Sequence, residues 1–294
     1  MSLLNRPTML PKLPPEQRAG LFRELFSFLA ILIVGSFPQG LLLALISLWS
    51  PSLSHVDLLL INLFATVFMI LSVCLLGRHL RSRPANGLGL TRAHGWRDYL
   101  WGAAAGVLML LFSVLICILT ESLHIQPSPS FPIGTWLLFL AGFLIQGASE
   151  ELLCRGYLFP ILAERYSLGT ATVVNSLVFA LLHLGNNGVS LLALCNVFLF
   201  GVVASLCVIR RGSLWLACGM HSLWNFTQGN LFGISVSGLS PLPAPLKTQP
   251  SEAHPLWNGG SFGLEGGLAV TLVLSLAILT LLLFAKATHK TNKK

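Results

Sequence analysis

The chain has 294 residues, of which 54% are hydrophobic and only 10% charged, against about 25% charged in ordinary globular domains. Its mean hydropathy is +0.77. A water-facing surface cannot be built from this composition, which excludes a soluble enzyme, a secreted disulfide scaffold, a disordered chain and a nucleic-acid-binding domain. What remains is an all-α polytopic membrane protein.

In chain order, apolar stretches near 26–49, 56–77, 99–120, 134–159, 169–184, 190–209, 213–230 and 267–285 are candidate transmembrane helices, since a hydrocarbon core of ~30 Å needs ~20 apolar residues. The fifth is short. The first continues past Gly35 and Ser36 to Trp49 and precedes seven others, so it reads as a span rather than a signal peptide. Sixteen of the 18 Lys and Arg fall before the first stretch or after the second, fourth, sixth and eighth; Lys247 sits in an opposite loop and Arg155 inside a span. The net charge of +8 is therefore a topology signal. Under the positive-inside rule it predicts eight crossings with both termini cytoplasmic, in the cell membrane.

This divides the chain into a cytoplasmic tail 1–25, a membrane domain 26–286 and a cytoplasmic tail 287–294. Residues 231–266, rich in Gly, Pro and Ser, read as a flexible outer loop. All six cysteines fall within spans and read as small buried apolar residues.

Eight of the ten acidic residues lie in tails, loops or at span ends, as do six of the eight histidines; Glu150, Glu151, His183 and His221 are the exceptions. Ionisable groups kept inside a membrane point to function. Glu151 and Arg155 stand four apart with the acid first, a favourable helical pairing. Glu150 projects about 100° round the helix from its neighbour, so it stays free while Glu151 pairs. A free carboxylate in apolar surroundings suits a general base. His183 ends the fifth span, and His221 and Asn225 share a face of the seventh by i,i+4 spacing. At ~1.5 Å per residue the three motifs reach similar depths. They predict a polar cavity open to the cytoplasm, with Gly185 to Gly188 as a buried turn.

Glu-Glu-x-x-x-Arg from Glu150, Phe-x-x-x-His from Phe179 and His-x-x-x-Asn from His221, in that order on successive spans, resemble the CPBP family, which includes CAAX prenyl endopeptidases and bacteriocin-processing or Abi proteins. The resemblance places a core near 134–230. It implies an intramembrane endopeptidase acting on a peptide or lipidated protein, in which Glu150 and His221 polarise water, His183 and Asn225 stabilise the oxyanion, and Glu151, Arg155 and Phe179 support that geometry. Glu150, His183 and His221 are also a donor set for Zn²⁺, although His-Glu-x-x-His is absent. Cys154, one turn from Glu150, lacks the adjacent His that a nucleophile needs. A non-enzymatic immunity or scaffold protein and a proton-coupled transporter are the other readings of the same polar cluster.

Overall fold

The computed structural model describes residues 7, 9–10, 14, 20–81, 85–91, 95–129 and 132–291. Most of the expected N-terminal tail 1–25 and the end of the expected C-terminal tail 287–294 lie outside the described residues, as do Arg6, Lys12, Arg18, Arg83, Arg92, Lys293 and Lys294.

Each of the eight apolar stretches is helical. Helix α1 spans Leu21–Trp49, α2 His55–Ala65, α3 Val67–Arg81 and α4 Gly95–Leu119; α5 (Ile133–Glu151) runs through a π-helical segment, Leu152–Leu158, into α6 (Phe159–Arg165). Helix α7 covers Leu168–Leu181, α8 Leu191–Arg211 and α9 Trp215–Phe226, extended by a second π segment, Thr227–Leu231. The short α10 (Pro255–Asn258) and α11 (Leu268–Thr291) follow. The protein is an all-α polytopic membrane protein. Among the described residues, five helical runs are long and apolar enough to cross a bilayer by themselves: Leu21–Trp49, His55–Gly77, Gly95–Leu119, Ile133–Arg165 and Leu191–Arg211. The apolar runs Leu168–Leu181 and Leu268–Phe284 are shorter.

Local chemistry fixes several helix starts. Ser54 and Asp57 form a reciprocal capping box at α2, and Ser167 and Ser190 accept from Thr170 N and Ala193 N at α7 and α8. Gly212, with φ of 65°, ends α8 in the left-handed conformation that glycine adopts without penalty.

Lipid tails are as apolar as leucine, so close packing rather than hydrophobic burial must hold the helices together. The tightest crossing is α4 against α9. A Cβ on Gly102 would lie 2.0 Å from the Leu216 carbonyl oxygen, one on Gly106 2.2 Å from that of Met220, and one on Gly219 2.1 Å from that of Tyr99. Glycines on both helices thus bring the backbones into contact and seat the helix that carries His221.

The basic loops gather at one end. Arg211, closing α8, pairs with Asp98 in the first turn of α4; Leu214 N donates to Gly89 O at 3.0 Å, and Arg210 donates to Leu281 O of α11 at 3.1 Å. The opposite end carries the 231–266 segment, which is built rather than the flexible loop its composition predicts. Strand β2 (Leu246–Pro250) pairs antiparallel with β1 (Leu123–Pro127), Ile125 opposite Thr248. The Asn258 amide donates to the carbonyls of Ser122 and Ser251, while Val236, Leu242, Phe262 and Leu264 are buried. Pro and Gly here serve tight turns within a packed cap.

Candidate active site

The acidic pair lies near the middle of the 33-residue run Ile133–Arg165, where α5 gives way to the π segment. Such widened turns recur at functional sites. Glu151 and Arg155 are both fully buried and pair at 3.0 Å between Oε1 and Nη1. The same Glu151 oxygen stands 2.9 Å from His221 Nδ1. A carboxylate already accepting from Arg155 can only accept again, so His221 carries its proton on Nδ1 and turns Nε2 away. That Nε2 lies 3.8 Å from Glu150 Oε2.

His183 approaches the same Glu150 oxygen with its Nε2 at 4.0 Å, and its Nδ1 lies 2.8 Å from the Phe179 carbonyl, which fixes the ring. Phe179 packs edge-to-face with His183 and His221 at centroid distances of 4.8 and 6.0 Å, and the Arg155 guanidinium sits 4.3 Å over its ring. One phenyl ring is therefore in contact with both histidines and with the buried cation.

Glu150, Glu151, Arg155, Phe179, His183 and His221 thus meet around one point, whereas Asn225 joins indirectly. Its amide donates to Gln146 Oε1 at 3.0 Å, and Gln146 Nε2 donates to Glu150 Oε1 at 2.5 Å. Gln146 is a residue the motifs do not contain; it lies one helical turn before Glu150, the spacing that would have found it. Glu150 Oε2, the oxygen facing both histidines, makes no hydrogen bond among the described residues.

Glu150 lines a cavity of about 390 Å³ together with Ser36 and Gln39 of α1, Thr66 between α2 and α3, Met69, Leu182, His183 and Asn186 among others. Its side chain is 32% exposed, while Oε2 itself is buried. Leu153 and Cys154, from the buried π segment, line the cavity too. The turn 185–188, expected to be buried, is corrected. Gly185, Asn187 and Gly188 are exposed, and Asn186 Nδ2 donates to Ser237 O of the cap at 2.8 Å. Helix α7 stops at the cap, where Gly188 packs against Ser261 and Gly238 against Asn187.

On the other side of the histidines, a small cavity of about 20 Å³ is lined by His183, His221, Asn225, Ser237 and Glu265 among others. Glu265, which sequence position alone puts in a loop, is buried there. Burial raises its carboxyl above the ordinary range, against hydrogen bonds from Gln228 and Ser237 that lower it.

Among the described residues, no group of three or more His, Cys, Asp and Glu side chains is arranged to hold a metal ion. Glu150, His183 and His221 as placed do not fit the Zn²⁺ site that their identities allow, their facing atoms being wider apart than the ~3.3 Å edge implied by tetrahedral ligands at ~2.0 Å.

A segment of 99 residues, 33% of this chain, is 32% identical to an uncharacterized 24.3 kDa protein of Escherichia coli, of which it covers 44%. The chain thus spans less than half the length of that curated relative. Residues 132–227 match the family model of the Rce1-like type II CAAX prenyl endopeptidases, which bears out over that segment the resemblance carried by the three motifs.

Proposed function

We propose that the protein is an intramembrane endopeptidase that hydrolyses a peptide bond of a membrane-associated substrate with a glutamate-activated water. The observation that carries this reading is the convergence of His183 Nε2 and His221 Nε2 on one oxygen of Glu150, beside a cavity large enough for a short peptide segment.

Glu150 takes a proton from water as it attacks the scissile carbonyl, with the unprotonated Nε2 of His221 accepting the water's other hydrogen and so orienting it. Glu151 holds His221 in the required tautomer. His183 has its Nδ1 proton committed to the Phe179 carbonyl, so its Nε2 donates to an oxyanion only as imidazolium. Asn225, held through Gln146, supplies the uncharged donor. The proton gathered by Glu150 then passes to the leaving amine.

The substrate enters from the flank between α1 and α7, where Ser36, Gln39 and Asn186 give polar contacts to an extended backbone in a mainly apolar wall. A prenylated CAAX peptide is the first substrate class to test, given the name of the matched family. The termini face the cytoplasm.

Purified protein in detergent, incubated with prenylated and unprenylated fluorogenic peptides, is compared with Glu150→Gln. Cleavage by wild type and not by a folded Glu150→Gln supports the endopeptidase. A Glu150→Gln that cleaves at the wild-type rate overturns the assignment, and one that cannot fold points instead to a packing role.

A further inference from the structure

Beyond the matched segment, the chain brings one more carboxylate to the back of the site. Glu265 lies in a single helical turn, Leu264–Gly266, just before α11, and is only 7% exposed. Its two oxygens receive the Gln228 amide, the Ser237 hydroxyl at 3.2 Å and the Ser237 backbone N–H at 3.5 Å. Its backbone carbonyl receives the Asn196 amide of α8 at 2.8 Å. Every described side-chain partner is a donor, so the residue works as an acceptor hub.

What the hub joins matters more than its own burial. Gln228 lies in the π segment three residues after Asn225, and its amide also donates to Ser235 O at 2.5 Å. Ser237 accepts the Asn186 amide at its carbonyl at 2.8 Å, and Asn186 stands three residues after His183. Glu265 thereby connects the end of α7, which carries His183, to the end of α9, which carries Asn225. All three line the same small cavity. Gly263 makes the approach possible: with φ of 100°, its Cβ would lie 1.9 Å from Ser235 O.

We propose that Glu265 is a positioning residue of the active site, setting the separation between His183 and Asn225 by tying Asn186, through Ser237, to Gln228. The inference rests on the endopeptidase reading for its kinetic consequence but not for its structural one. Two donors that serve one oxyanion need a fixed spacing, and here they come from different helices, linked on one side through Glu150 and Gln146 and on the other through Glu265.

The test uses the full chain in detergent, as wild type, Glu265→Ala and Glu265→Gln. Hydrogen exchange is read first, since it needs no substrate. Glu265→Ala is expected to speed exchange in both 183–190 and 225–232 while leaving α4 unchanged. Turnover is read second: kcat should fall about 10–100-fold, the range for lost outer-shell partners, with KM within about twofold. Glu265→Gln, which keeps one acceptor oxygen, should recover part of kcat; if the Ala variant does not fold, the Gln variant carries both readouts. Faster exchange confined to 231–266, or wild-type kcat in a folded variant, overturns the proposal. If wild type cleaves no peptide while both segments loosen together, the tie stands and the endopeptidase reading is what fails.

Discussion

His221 and Glu151 are joined by a 2.9 Å contact between Nδ1 and Oε1, made by an oxygen that also accepts from Arg155. This contact decides which imidazole nitrogen faces Glu150. Replacing Glu151 by Gln lets an amide N–H face Nδ1, which favours the opposite tautomer. Turnover is expected to fall about 10²–10⁴-fold, the scale of a lost acid–base catalyst, in a protein that still elutes as a monodisperse species. Unchanged kcat would show that the tautomer is irrelevant.

The same pair gives a stability prediction. Arg155 and Glu151 have no side-chain exposure, so Arg155→Met leaves a buried carboxylate with one partner fewer. Breaking such a pair costs about 3–5 kcal/mol. Unfolding in detergent should show a loss of that order, and Glu151→Gln combined with Arg155→Met should recover part of it. Two independent, additive losses would argue against coupling.

Close backbone contact between α4 and α9 predicts a sharp contrast among glycines. Gly106→Val drives a side chain into the Met220 carbonyl and should cost at least the ~1–3 kcal/mol of ordinary overpacking, together with activity, because His221 follows Met220. Gly134→Val meets nothing within 4 Å and is the control. Thermal unfolding of both, followed by fluorescence, distinguishes them.

Glu265 adds a pH dependence to the cap. Its carboxyl is raised in the folded protein, chiefly by burial, so the protonated form is favoured by folding. The stability it contributes is full below the ordinary carboxylate range and is lost as pH rises through the raised value. Exchange rates in 235–237 and 260–266, corrected for intrinsic pH dependence, should therefore increase over that window. His183 and His221 line the same cavity, so the Glu265→Gln comparison isolates the carboxyl: it should flatten the profile. An identical profile in that variant would assign the effect elsewhere.

Much of the site could be read before folding because it is local. Glu151 and Arg155, or His221 and Asn225, share faces by helical spacing alone, and their place inside apolar spans marks them as costly. Gln146 obeys the same rule, one turn from Glu150, yet an uncharged amide attracts no notice in a span. The Gly102-x-x-x-Gly106 spacing is equally legible as a close-packing face, although its partner Gly219 is not. Glu265 could not be found this way. Gly-rich sequence around it reads as loop, and only the pairing of β2 with β1 and the turn at Gly263 fold that stretch back over the histidines.

The two π segments have a consequence for anyone wishing to move this core into another protein. A widened turn accommodates one residue beyond the α-helical period, so deleting a single residue from Leu152–Leu158 would return that turn to the ordinary period and narrow the helix beside the acidic pair. A deletion on either side of it has no such slack and would rotate everything beyond by about 100°, turning Arg165 and its neighbours out of phase with the acidic pair. The matched stretch 132–227 stops at Thr227, where the second π segment begins. A graft cut there would split the turn that holds Gln228. The transplantable unit runs to Leu231, and any donor or host must keep both helices in their original phase.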